Sequence, residues 1–140
     1  MRVDAVSSRK HAEMTEVESA DGRSQDPIRI ASRRLQDGIV LSVSGEIDLA
    51  TAPVVERELR CAEDSYDLIA VDLSQTTFLD PTGLHPILAS NLRLSERGGK
   101  LLIVQGPPQV RRVFELTGVT DHLNVVRDET ELERSRRESN

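Results

Sequence analysis

A single cysteine, Cys61, in a chain of 140 residues excludes an internal disulfide, and no Cys/His spacing along the chain would hold zinc. Long apolar runs are missing too. None approaches the roughly 20 residues needed to span a bilayer, and the charged N-terminus has no apolar segment behind it to read as a secretion signal. Positive charge is in deficit: 18 Lys and Arg against 24 Asp and Glu give a formal net charge of −6, so the concentrated basic surface that nucleic acid requires is not supplied. Nor is there a Gly-rich phosphate loop, a nucleophile elbow or a Ser/His/Asp constellation at workable spacing. The expectation from these gaps is a cytoplasmic, non-enzymatic domain with no cofactor, no nucleic acid and no membrane among its partners.

What is present is the composition of an ordinary globular domain, 37% hydrophobic and 30% charged, in a length that suits one domain with its own core. Residues 1–27 are rich in Ser, Glu, Asp and Arg, carry few aliphatic residues and show no periodicity that buries a face, which predicts a disordered N-terminal tail. Met1 and Met14 both stand as start sites. Residues 129–140 are charged, with Leu132 their one core former, which predicts a charged C-terminal tail or a frayed helix.

Between these ends the pattern is regular. Ile28, Ile30 and Leu35 lead through Gln36-Asp37-Gly38 into Ile39, Leu41 and Val43, and period-two alternation about an Asp-Gly turn predicts a hairpin. Thr51-Ala52-Pro53 supplies a cap and an early proline to a helix whose stripe is Val55, Leu59 and Ala62, with Cys61 beside it and expected to be buried or half-buried. The unbroken apolar runs Leu68–Val71 and Leu101–Val104 read as strands covered on both faces. A second stripe, Leu84, Ile87, Leu88 and Leu92, stops at Gly98-Gly99. A third, Val110, Val113 and Phe114, starts after Pro107-Pro108 and ends at Gly118, and Leu123, Val125 and Val126 suggest a last strand. Strands alternating with helices must run mostly parallel. The expected fold is therefore α/β, with a mixed, mostly parallel sheet of four to five strands covered mainly on one side by three to four helices.

The segment from Val71 to Leu84 carries most of the chemistry. An apolar strand gives way to Asp80, which caps a helix, and Pro81 takes the first helical position, where its missing N–H would have had no partner. Thr82 keeps a hydroxyl one position further on, where bonding to nearby backbone is its ordinary role. Pro86 removes the N–H that would bond Thr82 and disfavours helical angles at His85, so the first turn is expected to be distorted. His85 lacks a second ligand at usable spacing and reads as a surface histidine.

Three segments in this order resemble the STAS domain proteins, the anti-sigma factor antagonists. Gly45-Glu46-Ile47-Asp48-Leu49-Ala50-Thr51-Ala52 is similar to the family's Gly-Glu-Leu-Asp motif, Phe78-Leu79-Asp80-Pro81-Thr82-Gly83-Leu84 to its Asp-Ser-Ser/Thr-Gly-Leu switch, and Pro108–Gly118 to its third-helix segment. The resemblance implies a STAS-like fold over residues 28–128. It also implies a partner, a serine/threonine kinase-like anti-sigma factor, bound by the unmodified protein and released on phosphorylation of the first hydroxyl residue after the aspartate. That residue is Pro81 here, so the resemblance implies a module lacking the usual acceptor, with Thr82 as the remaining candidate phosphosite. Asp48, Asp80, Pro81, Thr82, Gly83, Leu84 and His85 form the implied partner-binding set. Two other readings remain open: a STAS-like scaffold or small-ligand sensor, and a receiver-like phospho-aspartate domain in which Glu46, Asp48 and Asp80 gather around magnesium. Arg111 and Arg112 are expected to face solvent.

Overall fold

The predicted hairpin opens the architecture. In the computed structural model, which describes residues 28–138, β1 (Ile28–Arg34) pairs antiparallel with β2 (Ile39–Ile47), Arg34 opposite Ile39, and the Leu35 N–H donates to the Gly38 carbonyl at 2.7 Å to close the turn. The expectations of a disordered N-terminal tail and of a start at Met1 or Met14 fall outside the described residues.

From β2 the chain runs through α1 (Ala52–Glu63), β3 (Leu68–Asp72), β4 (Thr76–Leu79), a 3-10 turn (Pro81–Leu84), α2 (His85–Glu96), β5 (Lys100–Val104) and α3 (Pro108–Thr117). A second 3-10 turn (Val119–His122), β6 (Asn124–Val126) and α4 (Glu129–Glu138) complete it. The strands lie in the order β1-β2-β3-β5-β6, all parallel after the first pair. Gly118 ends α3 at φ 76°, the left-handed conformation that a side chain disfavours.

Six strands are described where four to five were expected, and the addition is β4. It pairs with β2 beyond the point where β3 leaves off, Leu79 against Ile47, with a register shift at Gly45/Glu46. That irregularity breaks the alternation by which sequence reveals a strand, since Thr76 and Leu79 are buried while Thr77 and Phe78 are exposed. In compensation the buried Thr76 hydroxyl donates to the Val43 carbonyl at 2.7 Å.

The main core lies between one sheet face, with Ile39, Leu41, Ile69, Val71, Leu101 and Ile103, and α1, α2 and α3. A smaller one lies on the opposite face, where Val40, Leu68, Ala70, Leu102, Val104 and Val126 surround Leu132 of α4. The expected charged tail or frayed helix over residues 129–140 is corrected as far as Glu138, and residues 139–140 lie outside the described residues. α4 forms over Glu129–Glu138, Leu132 is fully buried, and Asp128 Oδ1 accepts the Glu131 N–H while Glu131 Oε1 accepts the Arg127 N–H, an arrangement close to a capping box. Arg136 Nη1 reaches Asp37 Oδ1 of the hairpin turn at 2.6 Å, and Arg33 of β1 reaches Glu129 at 2.9 Å.

Two side chains sit differently from their sequence reading. Cys61 is exposed, because at about 100° per residue it lies away from the Val55–Leu59–Ala62 stripe. Leu92 of α2 is 59% exposed, and Ser90 and Leu94 face inward instead. Ser90 is accommodated because its hydroxyl donates to Glu63, whose carboxylate also takes a two-pronged contact from Arg93 at 2.7 and 2.9 Å. Burial pushes the Glu63 carboxyl up, but the Arg93 and Ser90 hydrogen bonds outweigh it and hold the group below its ordinary value.

Candidate functional site

The C-terminal ends of the neighbouring strands β2 and β4 build the candidate site. Ile47 and Leu79 are register partners, and the Asp80 N–H donates to the Ile47 carbonyl at 2.8 Å. Two loops therefore leave the sheet side by side, Asp48-Leu49-Ala50-Thr51 and Asp80-Pro81-Thr82-Gly83.

Asp80 adopts an extended conformation that turns its carboxylate back over the chain. Oδ1 accepts the Thr82 N–H at 2.8 Å and the Thr82 hydroxyl at 2.9 Å, and the Asp80 carbonyl accepts the Gly83 N–H at 2.7 Å. The backbone bond from Thr82, then the hydroxyl bond, hold the Asp80 carboxyl below the usual carboxylate range. Pro81 is exposed at the first position of the turn, and Thr82 is half-buried with its hydroxyl already directed at Asp80. Gly83 is buried where a Cβ would stand 2.5 Å from Ile47 Cγ2, so only glycine lets the turn press this closely against the end of β2. Leu84 is 2% exposed and packs in the core, so these two residues seat the turn from beneath rather than offering surface.

The expected distortion at Pro86 is found, in a specific form. Residues 81–84 wind as a 3-10 turn, and the His85 N–H donates to the Thr82 carbonyl that an α-helical residue 86 would otherwise have served. The expected displacement of His85 from helical angles is corrected: at φ −55°, ψ −48° it is helical and exposed, with Pro86 buried behind it in the first turn of α2.

The second loop is braced by Thr51, which is 4% exposed. Its hydroxyl accepts the Asp48 N–H at 2.9 Å and donates to the Glu46 carbonyl at 2.9 Å, while Asp48 Oδ1 accepts the Thr51 N–H at 3.0 Å. Thr51 was expected to cap α1. It occupies the cap position but its side chain makes no bond to the helix, being turned back into the loop. Leu49, at the middle of that loop, is 73% exposed. Sequence reading passed over it, although it precedes the helix and belongs to no apolar stripe, which marks it as a leucine without a core position.

Glu46, Asp48 and Asp80 share this end of the sheet, yet they do not converge. The Asp48 and Asp80 carboxylates are turned onto their own loops, and among the described residues no group of three His, Cys, Asp or Glu side chains closes on a common point. The receiver-like reading lacks its constellation. Arg111 and Arg112 are exposed on α3, as expected. No helix among the described residues is long and apolar enough to cross a membrane.

Residues 30–132 match the family model described as STAS domain. An anti-sigma-B factor antagonist from Listeria monocytogenes is 30% identical over 97 residues, 69% of this chain and 85% of that protein, and the one from Bacillus subtilis is 27% identical over 99 residues, 70% and 90%. Among solved structures, an anti-sigma factor antagonist from Mycobacterium paratuberculosis superposes with a TM-score of 0.72 at 30% identity, covering 79% of this chain and 94% of that one.

Proposed function

The chain belongs to the STAS domain family, and from that membership we propose that it is an anti-sigma factor antagonist: it binds an anti-sigma factor of the serine/threonine kinase-like class, frees a sigma factor, and has no phospho-acceptor at position 81. The observation that carries the reading is the pair of loops at the β2 and β4 ends, with Pro81 exposed on a turn capped by Asp80. A phosphate in such a place adds nearly two negative charges to a docking surface and repels a partner. Proline offers no hydroxyl to carry it.

Thr82 is a poor substitute. Its hydroxyl is half-buried and donates to Asp80, so phosphorylation would have to break that bond and place a dianion against a carboxylate. Asp48, Asp80, Pro81, Thr82 and His85 line the proposed partner surface, Gly83 and Leu84 hold it from below, and binding is permanent unless limited by the amount of either protein. The test is to mix the full chain with kinase-type anti-sigma factors of its own genome and ATP, measuring complex formation by calorimetry and modification by intact mass. A complex that survives ATP without mass gain is expected. Absence of binding to every such partner, or a gain of about 80 Da at Thr82 that dissolves the complex, overturns the proposal.

A further inference from the structure

Leu49 is apolar and 73% exposed. Isolated surface leucines need no explanation. This one differs in what supports it. The hydroxyl of a buried threonine, a carboxylate and three backbone groups are committed to the four-residue turn Asp48–Thr51, and the hydroxyl makes these bonds in place of a helix cap that usually contributes about 1 kcal/mol. The Ile47–Leu79 register and the Asp80-to-Ile47 hydrogen bond set the turn beside Pro81, and Gly83 removes the one side chain that would push the two loops apart. Leu49 and Pro81 are both exposed on these loops, and Glu46, Asp48 and Asp80 are carried at the same end of the sheet.

Resting on the function proposed above, we propose that Leu49 is the anchor of the partner surface, entering an apolar pocket of the anti-sigma factor, and that Asp48, which lines that surface, also braces the turn. A turn whose backbone is already braced loses little conformational entropy on docking, and the residue it presents can then contribute a large share of the binding. The acidic surround selects a pocket with a basic rim.

Calorimetry of the full chain with its kinase-type anti-sigma factor, for wild type, Leu49→Ala, Leu49→Asp and the control Leu92→Asp, tests this. Leu92, 59% exposed two turns along α2, belongs to neither loop. Leu49→Ala is expected to weaken binding about tenfold and Leu49→Asp about a hundredfold, with Leu92→Asp within about threefold of wild type and all variants keeping wild-type thermal unfolding. Thr51→Val should weaken binding and Thr51→Ser restore it, since serine keeps the hydroxyl. Wild-type affinity in Leu49→Asp overturns the assignment while leaving the antagonist reading intact. If wild type itself binds no anti-sigma factor, both fall. If Leu49→Asp instead abolishes self-association seen by sedimentation with anti-sigma binding unchanged, the occupant is a second copy and the assignment is likewise overturned.

Discussion

At position 83 a missing methyl group decides how the site is assembled. A Cβ there would stand 2.5 Å from Ile47 Cγ2, a branch atom fixed near the backbone, so the strain cannot be relieved by swinging a flexible side chain away. Gly83→Ala is expected to lower stability by roughly 1–3 kcal/mol, seen as a lower urea midpoint at unchanged slope, because the overpacked turn must lift from β2. Binding should weaken as well, since Pro81 moves with it. The local roles of Asp80 and Pro81 were legible in the sequence because capping and first-turn proline are properties of a few consecutive residues. The glycine's role was not, because the atom it makes room for belongs to a strand 36 positions earlier.

Between elements, α1 and α2 are joined by a polar clamp rather than by apolar contact alone. Glu63 near the end of α1 meets Ser90 and Arg93 of α2, and Arg97 adds bonds to the Glu63 and Tyr66 carbonyls at 2.5 and 2.8 Å. With the Glu63 side chain 6% exposed and that of Arg93 27% exposed, Arg93 is able to reach water if its partner is lost. Glu63→Gln should therefore cost about 2 kcal/mol near neutral pH, less than for a fully buried pair. The native carboxyl lies below the ordinary 4.5, so the unfolded chain takes up its proton at higher pH. The stabilisation is complete above that ordinary value and disappears as pH falls through the lowered native one. Denaturation of both proteins across the acid range should show their stabilities converging there, and a constant gap would refute the clamp. The apolar spacing pointed to Leu92, whereas Ile87, Ser90 and Leu94 share the inward face of α2, and the bond to Glu63 is what lets the polar Ser90 lie there.

For the molecule as a whole, the decisive piece is α4. Three helices on one sheet face leave the other bare, and Leu132 closes it over Val40, Ala70, Leu102 and Val126. Leu132→Ala should cost about 3 kcal/mol and lower Tm by roughly 10 °C, because the cavity opens in the small core of that face. An unchanged melting curve would show that α4 does not hold the second core together.

By itself the sequence determined the hairpin, the parallel α/β order, the strands buried on both faces and the Asp80 cap with Pro81 in the first turn, because these follow from periodicity, capping and short motifs read along the chain. Only the tertiary structure decided that β4 extends the sheet, that Cys61 faces outward, that a charged last segment folds onto the second face, and that the Asp48 and Asp80 loops stand side by side. Each of those rests on contacts between residues far apart in the chain, where the packing partner, and not the local pattern, sets which side of an element is buried.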